Sequence, residues 1–361
     1  MSSPSPVLVI SASIGAGHDG CAAEITRRLE TAGTPVRRVD YLDLLPAGWG
    51  RTIKQAYARQ LAYAPATWGW LLDALDHPGA TRSAAWLATR AAQRRLLAAA
   101  GPAPAAVVST YPLASQAIGR LRLAGLLTAP AVAVLTDPAV HPLCVAPGAD
   151  LHLAPNEEAA AVIRERHGLR AVTHAPLVDP AFRPSAGPAD VIAARQRLGL
   201  PLDARLALVV AGSWGVGDID TTVRELIAAS EAIPVVVCGH NAALRERLAA
   251  TGKVIALGWV DDMPSLLRAA DVVVNNAGGL TAMEALASDV PVISYRCLPG
   301  HGVANAAALE RLGLAAWPRD LDELGPALRV ALRTVAGSPT VIRLRSTAPE
   351  ATEFILRSVT R

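Results

Sequence analysis

His18 sits among glycines in Gly15-Ala-Gly-His-Asp-Gly20, directly after the β-branched run Val7–Ser11. An imidazole where a strand gives way to a helix can act as a general base near neutral pH. The same six residues fit the G-x-G-x-x-G fingerprint of dinucleotide sites, and Asp40 ends the next strand at a suitable distance. A nicotinamide-dependent oxidoreductase is therefore one reading. Asp137 and His141 could orient or deprotonate a hydroxyl, or they could simply shape a turn beside two prolines. Asp218 and Asp220 spell the Asp-x-Asp of metal-dependent sugar transferases, but they also begin a helix, where aspartate caps free N–H groups. Capping is the stronger reading, and nothing else resembles a metal cage. Further on, Gly278 and Gly279 follow the run Val272–Val274 and open a helix. Glycine lets the backbone approach a ligand closely, and the first N–H groups of a helix suit a phosphate. Glu284 falls one turn beyond Thr281, so both can address one ligand. A second strand, Pro291–Tyr295, delivers the loop Pro299–Gly302. Two such junctions in succession suggest a nucleotide site.

These residues need a frame to hold them. Strands are expected at Val7–Ser11, Pro35–Val39, Ala106–Ser109, Ala131–Leu135 and Asp150–Ala154, with helices between, the first from about Cys21 to Ala32. The prolines and glycine at Pro176, Pro180, Pro184, Gly187 and Pro188 mark a linker. The pattern then restarts with strands at Leu206–Ala211, Val235–Cys238, Val254–Leu257, Val272–Val274 and Val292–Tyr295, and ends in a helix at Ala351–Val359. Alternating strands and helices imply parallel α/β sheets covered on both faces. Two doubly wound domains across a cleft follow, 1–180 and 181–346, with 347–361 as a terminal helix returning to the first domain.

Bulk properties narrow the class. The chain has 361 residues, 52% of them hydrophobic and 18% charged, which is globular. A net charge of +3 is too small to argue for nucleic acid. Cys21, Cys144, Cys238 and Cys297 are scattered, as in a reduced, cytoplasmic protein. No basic residue precedes Val7–Ser11, against a signal peptide, and the apolar run around Ala124–Leu135 is too short to span a bilayer. The stretch 49–95 joins Trp49, Tyr57, Trp68, Trp70 and Trp86 to an excess of arginines. Such a surface is either core plus solvated face or a match for an anionic membrane interface.

Together the His18 loop, the Asp137/His141 segment, Gly212–Gly217, Gly258-Trp-Val-Asp-Asp-Met-Pro264, Gly278-Gly-Leu-Thr-x-x-Glu284 and Pro299-Gly-x-x-x-x-Asn305 resemble the monogalactosyldiacylglycerol synthase and diacylglycerol glucosyltransferase family. That family is related to the peptidoglycan N-acetylglucosaminyltransferase that forms lipid II. The resemblance implies the GT-B fold, with two Rossmann-like domains, the first for acceptor and the second for a UDP-sugar. It implies Trp259 and Val260 beside the uracil, and Gly279, Leu280 and Thr281 around the diphosphate with Ser213 and Gly215. Glu284 would bind the ribose, and His301 and Asn305 would lie nearest the sugar. Gly15, Gly17 and His141 would serve the acceptor, with Trp68 and Trp70 facing the membrane. The implied enzyme is inverting and metal-independent, needs no cofactor beyond the UDP-sugar co-substrate, and works peripherally on a lipid hydroxyl. His18 is its base and Asp137 the competing candidate. Relatives carry Gln-Glu after Pro-Gly where this chain has His301-Gly302, which leaves the sugar open. A soluble secondary metabolite as acceptor, or a UDP-sugar epimerase, are the remaining alternatives.

Overall fold

The computed structural model describes residues 5–63, 80–276, 279–333 and 348–359. They form two compact units, one of 5–60, 80–177 and 348–359, the other built on 178–276 and 279–333. The first unit runs β1 (Val7–Ser11), α1 (Ala16–Thr31), β2 (Val36–Asp40), α2 (Trp49–Tyr63), α3 (Ala80–Ala100), β3 (Ala106–Ser109), α4 (Pro112–Leu123), β4 (Ala131–Val134), β5 (Leu151–Ala154), α5 (Glu157–His167) and β6 (Ala171–Thr173). Its sheet is parallel, ordered β2-β1-β3-β4-β5-β6, with Val7 level with Val36 on one side and Ala106 on the other. Leu8 and Ile10 pack with Tyr41, Leu96, Ile118 and Leu121. Val7 and Val9 are buried as well, so β1 is covered on both faces and reads as an unbroken apolar run.

The second unit continues with α6 (Pro188–Leu198), β7 (Leu206–Val210), α7 (Ile219–Ala229), β8 (Ile233–Val237), α8 (Ala242–Ala249), β9 (Ile255–Leu257), α9 (Met263–Ala269), β10 (Val272–Asn275), α10 (Gly279–Ala287), β11 (Val292–Ser294), α11 (His301–Arg311) and α12 (Leu321–Arg333). Its parallel sheet is ordered β11-β10-β7-β8-β9. The period of two along β7 is plain in the core. Ala207 and Val209 pack on one face, Leu206, Leu208 and Val210 on the other. Truncating a residue such as Leu208 to alanine costs about 2–5 kcal/mol at sites of this kind. The last helix, α13 (Ala351–Val359), packs on α1 and β3 of the first unit through Ala351 and Ile355.

Three sequence expectations change. The first helix starts at Ala16, not near Cys21, because Gly15 is extended (φ −160°, ψ 150°) and acts as its N-cap. Pro188 belongs to no linker but opens α6, where its missing N–H costs nothing. The strand β6 was not expected, because Ala171-Val-Thr173 buries only its first residue and follows no apolar run. Among the described residues, no helix is long and apolar enough to cross a membrane.

Candidate functional site

The chemistry-bearing residues of the first unit gather at the carboxyl ends of β1, β3 and β4. His18 is the third residue of α1, and its Nδ1 lies 2.7 Å from the carbonyl oxygen of Thr110. A carbonyl only accepts, so Nδ1 carries the hydrogen, and the neutral ring keeps its lone pair on Nε2. Thr110 also donates its Oγ1–H to the backbone carbonyl of His18 at 2.9 Å, and Thr136 Oγ1 stands 3.2 Å from Nδ1. The Tyr111 ring and the imidazole meet in a T-shaped arrangement, their centroids 5.3 Å apart. Burial pushes the His18 pKa below its ordinary value, opposed by Asp137, the Thr110 carbonyl and Asp19 in that order.

Asp137 follows β4 and is half-buried. Its charge is felt by His18, and by Tyr57 and Cys144, each pushed up to about 12 by burial first and Asp137 second. His141 has the turn-shaping part: its Nδ1 accepts from Leu143 N at 3.2 Å and caps a short 3-10 turn. An added Cβ at Gly15 would meet nothing within 4 Å, so space beside this residue is open. Gly17 lies inside α1. Asp40 accepts from Ser13 N at 3.2 Å and from Leu42 N at 2.8 Å, one backbone donor on each oxygen. The carboxylate that the dinucleotide fingerprint would place on a ribose thus holds the loop before α1. Trp68 and Trp70 lie outside the described residues.

In the second unit the corresponding edge is made of main chain. The loop after β7 turns at Gly215 (φ +56°) and Gly217 (φ +106°), which side chains rarely adopt. A Cβ there would come within 2.2 Å of Cys238 O and 2.4 Å of Asn276 Nδ2 respectively. Ser213 O accepts from His240 N at 3.0 Å, Gly215 O from Asn241 Nδ2 at 2.9 Å, and Val216 O from Asn276 Nδ2 at 2.8 Å. Leu298 N donates to Asn276 O at 2.7 Å. The loops following β7, β8, β10 and β11 are therefore knitted together. On this edge Trp259 is 48% exposed, and His240 lies parallel beneath it at 4.5 Å. Val260 is half-buried against the core.

Gly279 is buried at the start of α10, followed by the partly exposed Leu280 and Thr281; Gly278 is outside the described residues. One turn on, burial and then Asp179 push Glu284 up to about 8. His301 is the first residue of α11, after Gly300 at φ +77°. Asn305 is buried one turn further along the same helix. The loop leading to His301 is held by Arg296, whose two nitrogens each reach Glu225 at 2.6 Å while a third contact meets Asp218 at 3.1 Å. Asp218 caps α7 by accepting from Thr221 N, and Asp220 pairs with Arg247 at 2.7 Å. Among the described residues, no three His, Cys, Asp or Glu side chains are grouped to hold a metal ion.

The sequence reading missed His240, Asn276 and the Arg296–Glu225 pair. The first two were visible as polar residues just past strands, in Cys-Gly-His-Asn and Asn-Asn. The pair joins residues 71 apart and left no local pattern.

Comparison with known proteins divides the chain unevenly. Residues 211–333 match the family model described as glycosyl transferases group 1. A processive diacylglycerol beta-glucosyltransferase of Bacillus pumilus (strain SAFR-032) is 36% identical over 126 residues, covering 33% of this chain and 33% of that protein. The matched segment thus spans about a third of the length of such curated relatives. Solved structures extend the likeness in fold to nearly the whole chain. Acinetobacter baumannii MurG superposes with a TM-score of 0.60 at 17% identity, over 99% of each chain. Arabidopsis thaliana UGT89C1 complexed with UDP-L-rhamnose gives 0.61 at 15%, over 99% of this chain and 98% of that one. The fold is the α/β GT-B fold of two Rossmann-like units.

Proposed function

We propose that this chain is an inverting glycosyltransferase that moves a sugar from a UDP-sugar to a hydroxyl of a lipid acceptor without help from a metal. The observation that carries the proposal is the knitted loop edge of the second unit, with Trp259, Gly279–Thr281 and Glu284 along it. It falls within the segment that matches the glycosyl transferase model. Exposed Trp259, backed by His240, suits the flat face of uracil. The first N–H groups of α10 suit the diphosphate, and Glu284 as a carboxylate accepts hydrogen bonds from the ribose diol.

In the chemical step the acceptor hydroxyl gives its proton to His18 Nε2 as its oxygen attacks the anomeric carbon. The bond from that carbon to the diphosphate oxygen breaks on the opposite face, and UDP leaves with the electron pair. Helix N–H dipoles stabilise the growing phosphate charge, the part a divalent ion plays elsewhere. Asp137 stabilises the imidazolium that forms. Asp218 and Asp220 are engaged with a helix N-terminus and arginines, and turnover is expected to persist in excess chelator. The lipid acceptor rests on the relatives that carry diacylglycerol in their name and on the aromatic and basic stretch 49–95. A peripheral place on the cytoplasmic face of a membrane follows. The chemistry is tested by offering a panel of UDP-sugars with and without a lipid extract and reading UDP release. Release stimulated by the extract with one donor is expected; none with any donor would remove the proposal.

A further inference from the structure

Between β11 and α11 the backbone takes a conformation that its side chain must hold. Among the described residues, only Asp289 and Arg296 are non-glycine residues at positive φ, and Arg296 stands at +45°. A left-handed backbone is unfavourable for a residue with a Cβ and persists only where the surroundings fix it. Arg296 Nε and Nη2 each donate to one oxygen of Glu225 at 2.6 Å, and Nη1 donates to Asp218 Oδ2 at 3.1 Å. Tyr295 Oη gives Glu225 a further hydrogen bond at 2.7 Å. Two parallel bonds from a planar guanidinium fix direction as well as distance. Main chain secures the rest of the loop, with Tyr295 N donating to Asn275 O at 3.0 Å and Leu298 N to Asn276 O at 2.7 Å. Gly300, at φ +77°, then turns the chain into His301.

The strand order says what this loop would face. Along β9-β8-β7-β10-β11 the carboxyl edge carries Trp259 after β9 at one end and His301 after β11 at the other. The glycine loop after β7 and the start of α10 lie between them. Strands β10 and β11 are neighbours, Asn275 level with Ser294, so the loops that open α10 and α11 leave the sheet side by side. A UDP-sugar laid along this edge, uracil at Trp259 and diphosphate at α10, brings its sugar to the start of α11. We infer that Arg296 is a positioning residue for that sugar: clamped to Glu225, it sets where Gly300 and His301 stand, and so which sugar hydroxyls they meet. UDP itself is held by the loops further along the edge and does not depend on the clamp.

This assignment rests on the glycosyltransferase reading, and the experiment separates the two. UDP, UDP-glucose, UDP-galactose and UDP-N-acetylglucosamine are each titrated calorimetrically into the full chain, Arg296→Ala, Glu225→Ala and the double variant. One of the three sugar nucleotides is expected to bind more tightly than the other two. Its Kd should rise about tenfold in either single variant, the loss of one charged, bidentate contact. The double variant should lose no more, because both substitutions break the same contact. UDP affinity should be unchanged throughout, which also reports an intact fold. Arg296→Gly suits the positive φ while removing the clamp, so it should lose the preference as well and serves if the alanine variant does not fold. Equal affinity for all three sugar nucleotides in the unaltered chain would overturn the assignment. So would a preference that survives in the variants, or UDP affinity that falls in step with that for the sugar nucleotide. Absence of UDP binding to the unaltered chain would overturn the glycosyltransferase reading and the assignment with it.

Discussion

The two carboxyl edges solve the problem of placing chemistry in opposite ways. Around His18 the first unit uses groups brought from distant places: the Thr110 carbonyl and the side chains of Tyr111, Thr136 and Asp137 all bear on one imidazole. The second unit builds its edge from backbone, with glycines where no Cβ fits and asparagine amides stitching one loop to the next. A proton acceptor needs a tuned side chain, whereas a diphosphate needs N–H groups in fixed array. In the proposed reaction the division of labour follows from what each ligand asks for.

The contrast is broken most severely at His18. Replacement by alanine is expected to lower kcat by about 10²–10⁴-fold, the usual worth of a positioned base. Affinity for UDP, measured by calorimetry, should be unaltered; a shared loss would mean that the two edges do not divide the work. The next largest effect falls on the glycines. Gly215→Ala forces a Cβ against the Cys238 carbonyl at positive φ, and about 1–3 kcal/mol of folding stability should be lost from backbone strain alone. Gly15→Ala meets open space in an extended conformation, and denaturant titration should find a smaller loss, about 0.5–1 kcal/mol, because alanine is the poorer helix N-cap.

Glu284 gives a smaller, pH-dependent effect. A half-buried carboxyl raised to about 8 is mostly protonated at neutral pH, and the ribose diol should favour its ionised form. UDP affinity is then expected to climb with pH up to about 8 and level off above it, with a proton released on binding. In Glu284→Gln the climb should vanish and affinity fall about tenfold. The same raised value means that the unliganded protein loses stability as pH rises from the ordinary carboxyl range towards 8, a loss absent from the glutamine variant. Least of all, Asp137→Asn should move the acid limb of kcat/KM to lower pH, because Asp137 holds the His18 pKa up against burial.

The same contrast governs what the sequence could disclose. Strands β1, β7 and β10 are buried on both faces and were legible as apolar runs, and the glycine loops that follow them were legible as local motifs. The start of α1 was not, because Gly17 and Gly20 are weak helix formers, and the helix there is held by the Gly15 cap and by the bond from Thr110 Oγ1 to the His18 carbonyl. His18 could be singled out, but its tautomer depends on a carbonyl 92 residues away. The stacked His240 beneath Trp259 and the Arg296–Glu225 clamp likewise depend on tertiary neighbours. The comparisons show the same asymmetry, since the family match begins only at residue 211. Main-chain motifs leave a contiguous trace in sequence, and an assembled cluster of side chains leaves scattered ones.

The central claim is that the second unit holds a uridine diphosphate, and calorimetric titration of the full chain with UDP and, separately, with NADH tests it most directly. Saturable binding of UDP that weakens in Glu284→Gln, with no heat from NADH, is the predicted result. Binding of NADH lost in Asp40→Asn, with none of UDP, would contradict it and restore the dinucleotide reading of the Gly15–Gly20 loop.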